Sequence, residues 1–409
     1  MKILVVTQYF WPENFRINDL VDGLVDKGHE VTVLTGKPNY PEGRYFAGYG
    51  FVKNNHECRN GVKIYRVPLI PRGSDSKLLL AINYFSFVFF GLLLGPIYCR
   101  SKYDLIFAYS VSPITLVIPA RFLGWLKKIP VIIWVQDLWP ESLTATGAVT
   151  NTTIISVVGK LVKWIYKGCD LVLVQSRRFT DAIAKFNVDS NKIRYFPNTA
   201  ESLYKPILYD KDNSITSAIP NGFIVMFAGN IGVAQDFETI LKAAVLTSQN
   251  KNIHWVVLGN GRQFDWVKNE VNRLELDTTV HLLGSYPMND MPVFFSKADV
   301  MLVTLKKQPI FALTIPGKVQ SYMACAKPII AALDGEGAQV IKESGAGLSI
   351  DAEDSTGLAN AVLAMEQMDK ATIVMMGQKG LDYYNTNFDR DMLLDKFDKM
   401  MDELLEKGI

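Results

Sequence analysis

The chain has 409 residues, 49% of them hydrophobic and 21% charged, which describes a globular protein too long for one compact core. Its four cysteines and four histidines are scattered without paired spacing, which argues against a disulfide framework and against a zinc site. The net charge of +2 conceals an asymmetry, because residues 1–200 hold 24 of the 43 Lys and Arg but only 14 of the 41 Asp and Glu. This basic half predicts an anionic partner. Since its cations are interleaved with apolar runs, a membrane surface fits better than nucleic acid.

The first half alternates apolar strands with helices over short connections, which indicates a doubly wound parallel sheet covered on both faces. We predict strands at 3–7, 31–35, 62–67, 105–110, 131–135, 171–174 and 193–196, and helices at 17–27, 78–98, 113–126 and 177–186.

One of these helices is unusually apolar. Leu78–Cys99 holds 22 residues without a charge and is bracketed by Lys77 and Arg100. Its length suits a transmembrane helix, but a span would separate strand–helix units that belong to one sheet. Two interpretations stay open: a buried helix of the first domain, or a helix partly sunk in the lipid interface. Its aromatic density and flanking cations favour the interface, and the lysine-bearing segment 154–167 would suit the same anionic surface.

A polar, proline-bearing stretch at 201–220 predicts a linker between residues 1–200 and 221–385. The second domain repeats the strand–helix pattern, and residues 386–409 contain a charged amphipathic helix expected to pack back on the first domain. Its predicted strands are 224–228, 253–258, 280–282, 300–303 and 328–332. Because ligands bind at the carboxyl edge of such sheets, we expect the site in the cleft between the domains.

Two glycine turns mark this edge in the second domain. The runs Phe223–Gly232 and Trp255–Arg262 each end a buried strand in a glycine turn before a helical segment. Such a turn offers backbone N–H groups and a helix N-terminus to an anion, and Lys318 opens another helix at the same edge. The pattern predicts a site for a nucleotide diphosphate. The alternative is that the glycines only shape a Rossmann-like half.

Taken together, five segments in this order resemble a GT-B glycosyltransferase of the bacterial family-4 kind, over essentially the whole chain. Within that family the chain is similar to the N-acetyl-L-fucosamine transferases of O-antigen and capsule assembly. The segments are Phe10–Asn18, Lys37–Pro41, Gln136–Ser142, Gly229–Gln235 and Pro316–Pro328.

The resemblance implies an α/β fold of two Rossmann-like domains that face a central cleft. It also implies retaining, metal-independent transfer of L-FucNAc from UDP-L-FucNAc to an undecaprenyl-diphosphate-linked sugar. No cofactor is expected beyond the nucleotide-sugar donor. The partners would be this donor, the lipid-linked acceptor and anionic lipids, with no nucleic acid. The protein would then be peripheral on the cytoplasmic face of the inner membrane.

The second domain would bind the donor, with Lys318 offsetting the charge of the diphosphate. Arg262 has an alternative interpretation as a solvated helix residue. The sequence departs from the family at two points. Leu313 and Ser321 occupy the positions where two glutamates are usual, and the usual Arg/Lys pair after the glycine turn is absent. The donor-binding residues carried over are Gly229, Asn230, Gly232, Gln235, Gly259, Arg262, Lys318 and Ser321.

The first domain would bind the acceptor. Asp137 is the first candidate to deprotonate the acceptor hydroxyl and Glu13 the second, with Lys318 as the third catalytic candidate. An aromatic loop at 38–51 is expected to cover sugar or lipid. The acceptor-binding candidates are Asn14, Arg16, Asn18, Asn39, Tyr40 and Glu141, with Arg16 meeting the acceptor's phosphate and Glu141 alternatively a helix cap.

No metal requirement is predicted, because the acidic triplets Asp210–Asp212 and Asp389–Asp391 are interpreted as surface charge. A nicotinamide dehydrogenase is nearly excluded, since residues 7–18 contain no glycine. A sugar-nucleotide 2-epimerase of GT-B architecture and a non-catalytic, membrane-docked nucleotide-sugar binder remain as alternatives.

Overall fold

The computed structural model describes residues 1–73, 76–145, 151–208 and 214–406. By its internal contacts the chain divides into two compact units. Unit 1 is Met1–Pro197 with Asp391–Ile409, and unit 2 is Asn198–Arg390.

Unit 1 is built on an eight-stranded sheet. All of its strand pairs are parallel except that between β3 and β4. The edge strand β3 was not predicted, because its His-Glu-Cys-Arg sequence lacks an apolar face. In the order β3-β4-β2-β1-β5-β6-β7-β8, the strands are β1 (Lys2–Val6), β2 (Glu30–Thr35), β3 (His56–Arg59), β4 (Val62–Arg66), β5 (Leu105–Ser110), β6 (Val131–Val135), β7 (Leu171–Val174) and β8 (Ile193–Tyr195).

Helices connect these parallel strands, as predicted. The predicted helix at 113–126 begins instead as a short 3-10 turn, Ile114–Leu116, followed by α3. The helices are α1 (Ile17–Asp26), α2 (Lys77–Tyr98), α3 (Val117–Lys127), α4 (Glu141–Ala145), α5 (Thr152–Lys167) and α6 (Arg177–Ala184), with a second 3-10 turn at Ser190–Lys192.

α2 is the one helix in the described part of the chain that is long and apolar enough to cross a bilayer. It connects β4 to β5, and both strands belong to the same sheet. One side of the helix is buried, where Phe87 is fully enclosed, and the other is exposed, with Phe85 69% and Phe89 61% accessible. The helix is therefore not fully buried, and the interpretation that it lies partly in the lipid interface stays a prediction.

Unit 2 is built on a six-stranded parallel sheet. Its last strand, β14, was not predicted. In the order β11-β10-β9-β12-β13-β14, the strands are β9 (Phe223–Ala228), β10 (Ile253–Leu258), β11 (Val280–Gly284), β12 (Val300–Thr304), β13 (Ile329–Ala332) and β14 (Gly347–Ile350).

Helices cover both faces of this sheet with separate apolar clusters. They are α7 (Phe237–Thr247), α8 (Phe264–Arg273), α9 (Met291–Lys297), α10 (Gly317–Ala324), α11 (Glu336–Ser344), α12 (Ser355–Glu366) and α13 (Lys370–Asn387), with 3-10 turns at Ser214–Thr216, Val233–Gln235, Met288–Asp290 and Phe311–Leu313.

The segment predicted as a linker, 201–220, belongs to unit 2 in its described part. Tyr204 stacks on Phe295 with ring centres 5.8 Å apart, and Ile219 is buried. The polar composition of this segment hid these two apolar anchors.

The last helix, α14 (Arg390–Glu406), packs into unit 1. Phe397 is fully buried against Phe107 and Phe196, with ring centres 4.8 and 5.5 Å apart. His29 Nε2 lies 2.9 Å from Asp398 Oδ1, and Lys27 forms an ion pair with Asp395. The final helix therefore completes the core on one face of the unit 1 sheet.

Candidate active site

The strand order of the unit 2 sheet reverses between β9 and β12. Ligands of doubly wound sheets bind beside such a reversal, at the carboxyl edge. The loop after β9 contains Gly229 to Gly232, and the loop after β12 leads to Lys318 at the start of α10. The two loops touch, because the Lys306 N–H donates to the Ala234 carbonyl at 3.0 Å. The predicted donor residues therefore surround the topological switch point of unit 2.

The two glycine turns require glycine for steric reasons. Gly229 and Gly259 have φ of +135° and +137°, which disfavour other residues. A Cβ on Gly259 would lie 1.9 Å from the Gly229 carbonyl oxygen, and a Cβ on Gly229 would lie 2.7 Å from Lys318 Cε. The glycines thus allow the two turns and the lysine to pack directly on one another.

Most N–H groups of these turns are used within the fold. The N–H groups of Gly229 and Gly259 donate to Leu258 and Gly284 carbonyls at 2.8 and 2.7 Å, and that of Ile231 donates to Asn260 at 2.9 Å. The Gly232 N–H donates to Gln235 Oε1 at 3.2 Å. These four donors are committed, so the charge of a bound diphosphate would depend more on Lys318 than the turn pattern suggests.

The amino group of Lys318 has no counter-charge among the described residues. Its Nζ lies 3.3 Å from the centre of the Phe227 ring, and no described residue forms an ion pair or hydrogen bond with it. Burial lowers the pKa of Lys318 well below its usual value. An anion at this edge would supply the missing partner and restore the charged state of the lysine.

The other predicted donor residues differ in accessibility. Asn230 and Arg262 are exposed. Ser321 is buried one turn after Lys318, and its hydroxyl donates to the Gly317 carbonyl at 3.4 Å. The sequence analysis did not select Lys306. Its position two residues after the end of β12 places it at the carboxyl edge of the sheet, and this could have identified it.

The unit 1 sheet has its own switch point, between β1 and β5. Asp137 follows β6 at the same edge, where its Oδ2 accepts from the N–H and the hydroxyl of Ser112 at 3.0 and 2.9 Å. The Trp139 indole N–H donates to the Ser112 hydroxyl at 3.2 Å. Burial raises the pKa of Asp137, while the two bonds from Ser112 oppose the shift. Asp137 Oδ1 accepts no hydrogen bond from the described residues, so it is the oxygen left for a ligand.

Several buried polar atoms on the segments that follow β5 and β6, and on α5, have no hydrogen-bond partner within the described ranges. Tyr166 interacts electrostatically with both Glu141 and Asp137. Buried donors and acceptors without a partner suit a polar ligand better than apolar packing. The atoms are Thr115 Oγ1, Gln136 Nε2, Glu141 Oε2 and the Tyr166 hydroxyl.

Glu13 organises the loop after β2. Its Oε1 accepts from the N–H groups of Asn39 and Tyr40 at 2.8 and 2.7 Å. Burial raises the pKa of Glu13 to about 7, although these bonds oppose the shift. The carboxylate is enclosed, and these contacts position Tyr40 at the edge of the sheet.

The remaining acceptor candidates fall into two groups. Asn39 and Asn18 hold the loops together, because Asn39 is fully buried and Asn18 bonds to the Trp11 N–H and the Glu13 carbonyl at 3.0 and 2.7 Å. Asn14 is exposed, and Arg16 immediately precedes α1 and makes its own interactions within the fold.

The aromatic loop at 38–51 is anchored to unit 1. The hydroxyls of Tyr45 and Tyr49 donate to the Leu69 carbonyl and to Glu57 at 2.6 and 3.1 Å. Lys37, just before the loop, is buried and donates to the Lys53 carbonyl at 2.6 Å, and burial lowers its pKa to about 8. The Lys-Pro-Asn-Tyr-Pro motif therefore builds the loop, and Tyr40 is its exposed aromatic at the site.

An aromatic wall lines this edge of unit 1. The rings of Tyr9, Phe15 and Tyr40 lie within 5.1–5.8 Å of one another. The Arg72 guanidinium carbon lies 5.0 Å from the centre of the Tyr40 ring. Sequence reasoning missed Tyr9, Ser112 and Arg72, because none of them belongs to a recognisable motif.

Among the described residues, no group of three or more His, Cys, Asp or Glu side chains is placed to hold a metal ion. The acidic triplet Asp210–Asp212 lies outside the described residues. The other triplet, Asp389–Asp391, spans the start of α14. Metal independence stays a prediction.

Comparisons with known proteins find a glycosyltransferase domain in each half of the chain. The glycosyl transferase 4-like domain family matches residues 14–199, and the glycosyl transferases group 1 family matches residues 222–367. A probable glycosyltransferase of Pseudomonas aeruginosa, WbjE, is 25% identical over 83% of this chain and 84% of its own. A candidate colanic acid biosynthesis glycosyl transferase of Escherichia coli K12, WcaI, is 24% identical over 79% of this chain and 81% of its own.

Solved structures share the fold at low sequence identity. Sucrose-phosphate synthase of Thermosynechococcus elongatus superposes over 100% of both chains with a TM-score of 0.75 and 16% identity. Anabaena HepE in complex with UDP-glucose superposes over 98% of this chain and 100% of its own, with a TM-score of 0.69 and 16% identity. The predicted α/β GT-B fold is confirmed, and the chain belongs to the glycosyltransferases, with a glycosyl transferase 4-like domain followed by a group 1 domain.

Proposed function

We propose that this glycosyltransferase moves a sugar from a UDP-linked donor to an undecaprenyl-diphosphate-linked sugar, with retention of configuration and without a metal ion. The donor we favour is UDP-L-FucNAc, and the product would enter O-antigen or capsule assembly. The enzyme would work as a peripheral protein on the cytoplasmic face of the inner membrane. The donor sugar, the acceptor and the retention of configuration rest on the sequence resemblance.

The observation that carries the donor assignment is the unpaired Lys318 at the switch point of unit 2. Its amino group packs between Gly229 and the Phe227 ring without a described counter-charge. A diphosphate is the anion that a glycosyltransferase donor presents, and a prepositioned cation there would stabilise the departing UDP. The fold shared with HepE, solved with UDP-glucose, supports a UDP-linked donor.

The lipid side of the proposal is supported by three helices of unit 1. α2, α3 and α5 contain no Asp or Glu but carry Lys and Arg. Their exposed side chains include large apolar residues, among them Phe89, Trp125 and Trp164. Arg121 connects two of these helices, because it lies 3.7 Å from the Trp164 ring and donates to the Trp164 carbonyl. An apolar surface with cations and no carboxylates suits an anionic bilayer.

In the proposed reaction, the acceptor hydroxyl bonds to the anomeric carbon while the bond from that carbon to the UDP oxygen breaks. UDP leaves with the electron pair, and the hydroxyl proton passes to a base. Asp137 is the base we favour, because Oδ1 is free of described partners while Ser112 fixes Oδ2. Burial raises the pKa of Asp137, which improves it as a proton acceptor.

The test is a transfer assay with radiolabelled GlcNAc-diphosphoundecaprenol and a panel of UDP-sugars, including UDP-L-FucNAc, with and without EDTA. One donor should give a slower-migrating lipid product whose yield EDTA does not change. Binding of UDP without product from any donor would support the non-catalytic binder instead, an alternative that the Leu313 and Ser321 replacements leave open. Loss of product in EDTA would overturn metal independence.

A further inference from the structure

Arg72 is the cation at the unit 1 edge that the reaction described above leaves unused. It lies between β4 and α2, and its backbone N–H donates to Asn39 Oδ1 at 3.1 Å. Its guanidinium carbon lies 5.0 Å from the centre of the half-exposed Tyr40 ring. Arg72 also interacts electrostatically with Tyr9 and Tyr84. In the part of the chain that the structure describes, no carboxylate pairs with this guanidinium.

The arginines nearby are paired, which makes Arg72 distinctive. Arg59 lies 4.4 Å from the Trp11 ring and binds Asp22 with both terminal nitrogens, at 2.9 and 3.1 Å. Arg66 donates to Glu57 at 2.7 Å. Arg72 has the same stacking on an aromatic ring as Arg59, but it lacks the carboxylate.

Arg72 lies shortly before α2, at a junction between the polar edge of unit 1 and the apolar surface of that helix. Asn83, fully buried on α2, bonds to Gln8 and the Ile70 carbonyl at 2.7 and 2.6 Å. The next residue, Tyr84, interacts electrostatically with Arg72 and Asp137. The residue after that, Phe85, is exposed on the apolar side of α2. Within three consecutive residues the helix passes from core, to candidate site, to apolar surface.

From this junction we infer that Arg72 binds the diphosphate of a lipid-linked acceptor. The acceptor sugar would lie toward Asp137, and the lipid would leave along the exposed side of α2. The inference rests on the proposed function, because it names the group that holds the acceptor of that reaction. Arg16, the phosphate-binding candidate from the sequence, stays a separate prediction.

Arginine chemistry suits this role. A guanidinium presents a planar array of N–H donors that pairs with two phosphate oxygens at once, and it stacks on aromatic rings while doing so. Tyr40 would keep the guanidinium in place before the acceptor arrives, so less side-chain freedom is lost on binding.

The experiment measures binding of decyl diphosphate by calorimetry, with UDP at saturation to occupy the donor edge. We expect Arg72→Gln to weaken this binding by about ten-fold or more, as a lost charge-assisted hydrogen bond does. Arg72→Lys should retain part of the affinity. Decyl maltoside, which has the same alkyl length and no charge, should bind wild type and variant alike. Arg59→Gln, a stacked but carboxylate-paired arginine, is the matched control and should bind like wild type.

Equal affinity of wild type and Arg72→Gln for decyl diphosphate would overturn the inference. So would an equal loss for the neutral alkyl glycoside, because it would indicate damage to the loop and not a lost phosphate contact. The readout does not need turnover, so it stays interpretable if the transfer assay fails and the proposed function is rejected.

Discussion

At the scale of single residues, Lys318 couples charge to ligand binding. A partly buried ammonium with no counter-ion is costly, and the lowered pKa of Lys318 reflects that cost. A diphosphate beside it would raise the pKa again, so binding would take up a proton wherever the free lysine is partly neutral. Affinity for UDP should therefore fall as the pH rises above the lowered pKa.

We predict that Lys318→Gln weakens UDP binding by about ten-fold or more, because one charge-assisted contact to phosphate is lost. Titration calorimetry in two buffers of different ionisation enthalpy, repeated over a series of pH values, should show a pH range in which UDP binding takes up protons for wild type and none for the variant. Lys242→Gln is the matched control, since this exposed lysine pairs with Glu238 at 2.7 Å. Unchanged UDP affinity in Lys318→Gln would remove the diphosphate site from this edge.

Glu13 gives a second residue-scale prediction, about stability. Its pKa in the folded protein is about 7, above the ordinary value, so the folded state holds more protons than the unfolded state between about pH 4.5 and 7. The free energy of unfolding contributed by Glu13 should therefore fall as the pH rises through this window. Glu13→Gln keeps an oxygen for the Asn39 and Tyr40 N–H groups and removes the charge.

Chemical denaturation of wild type and Glu13→Gln at about pH 5 and pH 8 tests this expectation. Relative to wild type, the variant should gain stability at the higher pH. A stability difference that does not change with pH would mean that Glu13 does not titrate in this window. Asp19→Asn, in the first turn of α1, removes a carboxylate outside this loop and is the comparison variant.

Whether these residues could be predicted depends on whether the neighbouring sequence shows where they lie in the fold. Gly229, Gly259 and Lys318 stand beside strand ends and helix starts, and periodicity finds such positions. Ser112 and Arg72 become visible only when distant loops meet at one edge. The enclosure of Glu13 and Asn39 was equally hidden, because burial of a polar residue depends on which loop folds over it.

At the scale of elements, α2 shows the limit of a hydrophobic pattern. The sequence predicted its extent to within one residue, because an uncharged, mostly apolar run of 22 residues has the length of a helix and is too long for a single strand. The pattern could not separate its two sides, since both are apolar. The buried polar residues Asn83 and Ser86 mark the inner side, and this becomes readable once their partners Gln8 and Ile70 are known.

The two sides of α2 should respond differently to the same substitution. Phe89→Ser removes an exposed ring and should weaken binding to vesicles containing anionic lipid, with little change in stability. Phe87→Ser removes a fully buried ring and should destabilise unit 1 by about 3–5 kcal/mol. Vesicle co-sedimentation and thermal unfolding, measured on both variants, separate the effects. If Phe89→Ser binds vesicles as wild type does, this side of the helix does not meet the membrane.

At the scale of the whole molecule, the chain returns to its first unit. α14 follows all of unit 2 in sequence, yet its apolar side lies in the core of unit 1. Leu393, Leu394, Phe397 and Met401 recur at helical spacing, which is why the sequence predicted an amphipathic helix there. The strands β3 and β14 were missed because neither carries a strong apolar alternation.

This connectivity predicts that a destabilising substitution in α14 lowers the stability of unit 1 and not that of unit 2. Phe397→Ala removes a fully buried ring that packs on Phe107 and Phe196, and should destabilise unit 1 by about 3–5 kcal/mol. Calorimetry should show a lower midpoint temperature for the unfolding transition of unit 1. The transition that UDP shifts to higher temperature should keep its midpoint. Leu405→Ala, on an exposed part of α14, is the control and should leave both transitions in place. A shift of the UDP-sensitive transition in Phe397→Ala would mean that the units unfold as one, because only a shared transition can transmit the loss from the last helix to the nucleotide-binding sheet.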